Sequence, residues 1–204
     1  MTATLACELA SAWRGTSWPE ILGALLAIAY LLLAIRQRSA CWYAAFISSL
    51  LYVWVYFVAH LYMDSALQIF YAVMAAYGFW QWRHGRGGAQ LTVTRWPLQR
   101  HAAGLAGIVF LSAVTSFFLR RYTPAASPFV DSLVTWSSVY TTYLVTLKVY
   151  ENWYWWLVID SVGLVLYFSR GLHLTALLFG LYLVLIVAGM REWRRTIPAA
   201  HVAA

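Results

Sequence analysis

The sequence predicts an all-α polytopic membrane protein, with seven transmembrane helices arranged as two three-helix units around one linker helix. Three observations carry that prediction. Of the 204 residues, 63% are hydrophobic and 10% are charged, where soluble domains carry about 25% charge, so a soluble single-domain enzyme is excluded. The apolar residues gather into charge-free runs at 39–63, 65–82, 102–119 and 171–190, of 25, 18, 18 and 20 residues, enough to cross roughly 30 Å of hydrocarbon. The chain also matches itself when displaced by 111 residues.

In order, the spans are about 19–36, 41–60, 63–82, 102–120, 129–148, 152–169 and 172–190. The first has only 15 residues between Glu20 and Arg36, and the fifth 16 between Asp131 and Lys148, so both set their flanking charges at the interface. Arg83–His101, with its charges, glycines and Pro97, is the one substantial loop. Residues 1–204 then form a single membrane domain: a first unit over 19–82, a linker helix over 102–120 and a second unit over 129–194.

Basic residues near span ends stay cytoplasmic. One side of the seven-span arrangement holds ten of the fourteen (Arg36, Arg38, Arg83, Arg86, Arg95, Arg100, Lys148, Arg191, Arg194 and Arg195), and the other holds Arg14, Arg120, Arg121 and Arg170. The ten-residue side is the cytoplasm, which puts the N-terminus outside and the C-terminus inside. The net charge of +7 is scattered between apolar runs instead of forming a stripe, which argues for a lipid bilayer and against a nucleic-acid partner. Cys7 and Cys41 flank the first span, so no bridge between them and no redox chemistry is expected. Met1–Cys7 lacks the basic and apolar regions of a signal, and the N-terminus is read as mature sequence.

At the 111-residue offset, Glu20 falls on Asp131, Trp42-Tyr43 on Trp153-Tyr154, Tyr56-Phe57 on Tyr167-Phe168, Tyr71 on Tyr182, Gly78 on Gly189, and Trp82-Arg83 on Trp193-Arg194. Such matches point to a duplicated three-span unit. Three crossings plus the linker return the chain to its starting side, so both units enter the membrane in the same direction. That is the parallel-repeat arrangement of the SWEET sugar transporters, in which the substrate site lies near the midplane between the units.

A carboxylate at mid-bilayer costs at least about 2.5–3.5 kcal/mol, so it must face a cavity or a partner. Asp160 lies about eight residues into the sixth span, roughly 12 Å at 1.5 Å per residue. Trp153, Trp156 and Gly163 share its helical face, and two indoles beside one carboxylate suit a flat cationic ring. For Trp153 a place in the interfacial tryptophan belt, starting at Asn152, is an equal alternative. On the third span Asp64, Gln68 and Tyr71 form a polar stripe; Asp64 reads as a solvated span end, while Gln68 and Tyr71 serve either a ribose or amide ligand or an interhelical hydrogen bond. The fifth span carries Asp131, Thr135, Ser138 and Thr142 on one stripe, and the second carries Ser48, Ser49 and Tyr52. Hydroxyls in membrane helices are mostly packing devices. Glu20 and Asp131 read as rim residues paired with Arg120, Arg121 or water.

No phosphate-binding glycine loop, HExxH, CxxC pair or nucleophile elbow is present, and His60, His84, His101, His173 and His201 share no helical face. Catalytic residues, metal and cofactor are therefore not expected. The lack of basic residues at mid-membrane argues against voltage sensing and against phosphorylated substrates.

Leu61–Tyr71, containing Asp64, Gln68 and Tyr71, and the following Tyr77-Gly78-Phe79-Trp80-Gln81-Trp82 resemble the PnuC family of Pnu vitamin transporters. So does Glu151-Asn152-Trp153-Tyr154-Trp155-Trp156 with Asp160, which is similar to the family's WxxW signature. The resemblance covers about residues 19–194. It implies a SWEET-like three-plus-one-plus-three fold in the bacterial inner membrane and facilitated diffusion of nicotinamide riboside, trapped inside by a cytoplasmic kinase. It also implies a substrate region at Trp153, Trp156, Asp160, Gln68 and Tyr71, with Asn152 opening the signature and Ser138 near the ribose. Thiamine, riboflavin and deoxynucleoside carriers share this outline. Asp160, where the family often has Asn, favours a cationic substrate such as nicotinamide riboside or thiamine. A membrane scaffold that carries nothing is the rival from another class, an intramembrane enzyme using Asp160 with Asp64 ranks last, and self-association into a homo-oligomer is left open.

Overall fold

The computed structural model describes residues 17–58, 60, 62–85, 91–122, 128–169 and 173–198, the side chains of 62, 63 and 174 excepted. Cys7, Arg14, Arg86, Arg170 and His201 lie outside the described residues. Among the described residues seven α-helices follow one another: α1 (Trp18–Ile35), α2 (Cys41–Val58), α3 (Tyr62–His84), α4 (Leu98–Tyr122), α5 (Pro128–Thr146), α6 (Asn152–Ser169) and α7 (His173–Arg195). Each falls on an expected span. The loop is shorter than expected, because α3 runs on to His84 and α4 begins at Leu98.

Among the described residues four helices are long and apolar enough to cross a membrane: α1, α2, α4 and the Thr175–Arg195 part of α7. The other three carry the polar residues, and α5 shows where these go: Ser132, Ser137, Ser138, Thr141, Thr142 and Thr146 are all buried. The faces turned outward from the described bundle are apolar, with Trp54, Phe57, Phe110, Phe117, Val158 and Val184 exposed. An apolar exterior over a polar interior is the inverse of a soluble domain. The protein is a multi-pass membrane protein.

In the packing, α1 meets α2 and α2 meets α3; α5 meets α6 and α6 meets α7; α4 lies on α5. The two trios touch through α3 with α5 and α1 with α7. Several of these contacts come in pairs whose members are related by the 111-residue offset. Trp82 Nε1 donates to the Val145 carbonyl at 3.1 Å, and Trp193 Nε1 donates to the Ala34 carbonyl at 3.0 Å. Gln37 and Lys148 hold φ of 53° and 51°, the left-handed residue that ends a helix in a Schellman motif. The accompanying bonds match as well: Gln37 N to Ala34 O and Arg38 N to Leu33 O, at 2.9 and 3.0 Å, then Lys148 N to Val145 O and Val149 N to Leu144 O, both 3.0 Å.

Glycines set how closely these helices approach. A Cβ built on Gly78 would lie 2.4 Å from the Trp42 ring, and one on Gly189 would lie 2.4 Å from the Trp153 ring. Only a residue without a side chain lets α2 seat its indole on α3, and α6 its indole on α7.

Two charged residues differ from expectation. Glu20, read as a rim residue paired with arginine or water, closes a capping box at the start of α1, where Ser17 N and Ser17 Oγ donate to its carboxylate at 2.6 and 2.7 Å. The box satisfies a free helix-terminal donor. Lys148, read as a cytoplasmic flank, is 3% exposed, with Nζ 4.6 Å from the Trp82 ring centroid and 3.4 Å from Gln37 Oε1.

Residues 91–97 cross the turn between α5 and α6 as an extended strap. Thr94 bridges to Val149: its N–H donates to Lys148 O at 3.1 Å, and Tyr150 N donates back to Thr94 O at 2.8 Å. Glu151 fastens the strap, accepting Arg95 Nε at 2.9 Å and Trp96 N at 3.1 Å, and it holds the Arg95 guanidinium above the usual arginine range. Since a hydrogen bond to a charged group contributes about 1.5–3 kcal/mol, Glu151→Ala is expected to speed amide exchange at Tyr150 about tenfold or more. Hydrogen exchange in detergent micelles measures this; unchanged exchange would show that the strap stands without Glu151.

Candidate functional site

The trios enclose a cavity of about 560 Å³, large enough for a vitamin-sized molecule. α1 contributes Tyr30, α2 Trp42, Ser49, Tyr52 and Tyr56, α3 Gln68 and Tyr71, and α5 Thr142. α6 contributes Asn152, Trp153, Trp156, Asp160 and Tyr167, and α7 contributes Thr175, Phe179, Tyr182 and Trp193. Six of the seven residues expected at the site line this one cavity: Gln68, Tyr71, Asn152, Trp153, Trp156 and Asp160. Ser138 is buried behind the wall, within hydrogen-bonding reach of the Tyr71 phenol.

The spacing along α6 accounts for its share of the lining. Positions 153, 156, 160 and 163 recur at three or four residues, so Trp153, Trp156, Asp160 and Gly163 turn the same way. Gly163 lets Phe179 of α7 come within 2.4 Å of where a Cβ would stand. Trp153 is 2% exposed and meets Trp193 edge to face, centroids 5.3 Å apart and planes at 89°. It therefore belongs to the bundle interior and not to an outer tryptophan belt. Trp155 does not reach the cavity lining; its Nε1 donates to His101 Nδ1 at 3.3 Å, while Tyr140 packs on it edge to face at 5.2 Å.

Asp160 is 7% exposed, and among the described residues no cation or hydrogen-bond donor reaches its carboxylate. A buried carboxylate without a partner is costly, and this one borders the cavity. Three further polar atoms on the lining, Trp42 Nε1, Trp153 Nε1 and Asn152 Oδ1, are buried without a partner, although Asn152 Nδ2 donates to Val149 O at 2.6 Å. Native proteins leave few such groups. The lining presents the Asp160 carboxylate and several aromatic faces to an occupant, while the two indole donors and the amide acceptor are themselves buried within it.

The other stripes divide. Thr142 lines the cavity, yet its hydroxyl donates to Ser138 O at 2.8 Å, as Thr141 does to Ser137 O at 2.7 Å. Ser48 and Ser49 both line the cavity, and the Ser48 hydroxyl donates to Gly23 O across helices at 2.8 Å. Asp64 is exposed at the start of α3 and outside the lining. Trp42, Tyr56 and Tyr182 were not expected at the site, although each has a partner 111 residues away: Trp153, Tyr167 and Tyr71. That offset was the signal that could have found them. Other lining pairs at the same offset are unlike, notably Ser49 with Asp160, Gln68 with Phe179 and Ala45 with Trp156.

A bundle of membrane helices around a polar and aromatic cavity of small-molecule size has the form of a membrane transporter. The nicotinamide mononucleotide transporter family matches the chain over residues 17–195, and the chain belongs to this family. It is 26% identical over 181 residues to the riboflavin/roseoflavin transporter RibM of Streptomyces davaonensis, a match covering 86% of this chain and 84% of that protein. It is 25% identical over 203 residues to the nicotinamide riboside transporter PnuC of Escherichia coli K12, covering 87% and 85%. The crystal structure of the vitamin B3 transporter PnuC aligns with a TM-score of 0.71 over 93% of this chain and 86% of that one, at 20% identity. That likeness supports the all-helical fold.

Proposed function

We propose that the chain is a nicotinamide riboside carrier of the bacterial inner membrane, working by facilitated diffusion between two parallel three-helix units. The N-terminus lies outside and the C-terminus inside, with ten of fourteen basic residues on the cytoplasmic side. The observation that carries the substrate is the uncompensated Asp160 carboxylate beside Trp156 on the cavity wall. A pyridinium supplies the missing positive charge and a flat face for the indoles. The ribose hydroxyls then meet Gln68, Tyr71 and Asn152, with Ser138 orienting the Tyr71 phenol. No fixed cation is needed to neutralise the substrate, and phosphorylation in the cytoplasm keeps it from returning.

Uptake of labelled nicotinamide riboside into proteoliposomes is expected to saturate without a proton or sodium gradient; dependence on an imposed gradient would rule out facilitated diffusion. The riboflavin carrier among the relatives favours a second reading, a neutral flavin stacked on the same tryptophans. A panel of nicotinamide riboside, thiamine and riboflavin decides between them, because a true ligand raises thermal stability by mass action. A scaffold would ignore all three. Trp156→Ala is expected to weaken the winning ligand about tenfold, the loss of one cation–π face, read by fluorescence or calorimetric titration; unchanged affinity would take Trp156 out of the site.

A further inference from the structure

The cavity is not closed equally at its two ends. At the end formed by the starts of α2 and α6 and the last turns of α3 and α7, Trp42, Trp82, Trp153 and Trp193 are each at most 2% exposed. Their rings interlock, with centroids 5.3 Å apart for Trp42–Trp82, 6.0 Å for Trp82–Trp193 and 5.3 Å for Trp153–Trp193. Toward the other end, Tyr56, Tyr167 and Thr175 on the lining are only partly buried.

We propose that this tryptophan girdle is the cytoplasmic gate of the carrier, shut in this structure, and that the Trp82–Val145 and Trp193–Ala34 hydrogen bonds are its paired latches. Each latch joins one trio to the other: Trp82 of α3 holds α5, and Trp193 of α7 holds α1. The trios cannot part at this end without breaking both. Lys148 works in the opposite sense. Its ammonium is buried between the Trp82 ring and Gln37, without a carboxylate among the described residues within ion-pair distance. Opening returns this charge to water, which favours the open state. The latches and the buried cation therefore pull against each other, as a carrier that must visit both states requires. The inference rests on the transporter reading and its orientation, and not on which substrate is carried.

Cys41 gives a readout that needs no ligand. Its thiol is fully buried at the start of α2, beside Trp42, and its reaction with a membrane-impermeant maleimide follows the population of the open gate. In a Cys7→Ser background, Trp82→Phe and Trp193→Phe keep the rings and remove the donors. Each is expected to speed alkylation from the cytoplasmic face roughly fivefold, and the pair about twenty-five-fold, the weight of about one hydrogen bond each. Alkylation within twofold of the parent in the double variant, or acceleration from both faces, would overturn the gate. If the double variant does not fold, the single variants decide: faster alkylation from the cytoplasmic face in both supports the proposal, and a rate within twofold of the parent in both refutes it. Failure of nicotinamide riboside to bind leaves these outcomes readable, so a wrong substrate and a wrong gate are told apart.

Discussion

Asp160→Asn is expected to weaken nicotinamide riboside binding by about ten- to a hundredfold while leaving the fold intact. The side chains are of nearly equal size, so the change isolates charge. Asp160 is 7% exposed with no partner among the described residues, so a cation brought beside it gains a charge-assisted contact in a poorly solvated site, of about 1.5–3 kcal/mol. The free protein moves the other way: removing an uncompensated buried charge relieves a cost, and thermal stability without ligand should hold or rise. Titration with nicotinamide riboside and with neutral riboflavin gives the decisive comparison. Parallel losses for both, or no loss for the cation, would show that Asp160 does not recognise charge.

The second large effect concerns packing. Gly78→Ala and Gly189→Ala each place a methyl 2.4 Å from an indole, a separation that neither ring nor helix tolerates, and each is expected to destabilise by about 1–3 kcal/mol. Gly107→Ala and Gly180→Ala are the controls, since a Cβ there meets nothing within 4 Å; in a helix interior they should be neutral or stabilising by about 0.5–1 kcal/mol. Thermal unfolding in one detergent orders the four variants. Because Trp42 and Trp153 both line the cavity, the first two should also lose ligand affinity in the fraction that folds. Equal stability of all four would mean that the indoles do not sit on these glycines.

The helices were legible because a bilayer imposes length and apolarity on each span separately, and charges at Arg36, Arg83 and Lys148 mark where spans stop. The α6 face was legible because helical spacing alone sets Trp153, Trp156 and Asp160 in line. What depends on a neighbouring element was not. Nothing near Lys148 in sequence says that it will be covered by Trp82, 66 positions earlier, nor that Glu151 will gather a strap from residues 91–97. Glu20, at the start of α1, takes a partner for the opposite reason: Ser17 is so close in sequence that a local cap forms without any distant arginine. Trp42 was within reach, since the offset that pairs it with Trp153 was already in view.

The lining pairs divide the labour within the protein. In the 111-residue register Trp42 matches Trp153, Tyr56 matches Tyr167 and Tyr71 matches Tyr182, whereas Ser49 stands in the place of Asp160, Gln68 in that of Phe179 and Ala45 in that of Trp156. A vestibule with matching walls would accept a molecule in two orientations related by a half-turn. In the site proposed above, the unlike pairs would abolish that degeneracy and leave a single pose. Changing what is carried would then require altering only the unlike positions, so specificity can drift while the moving frame stays as it is.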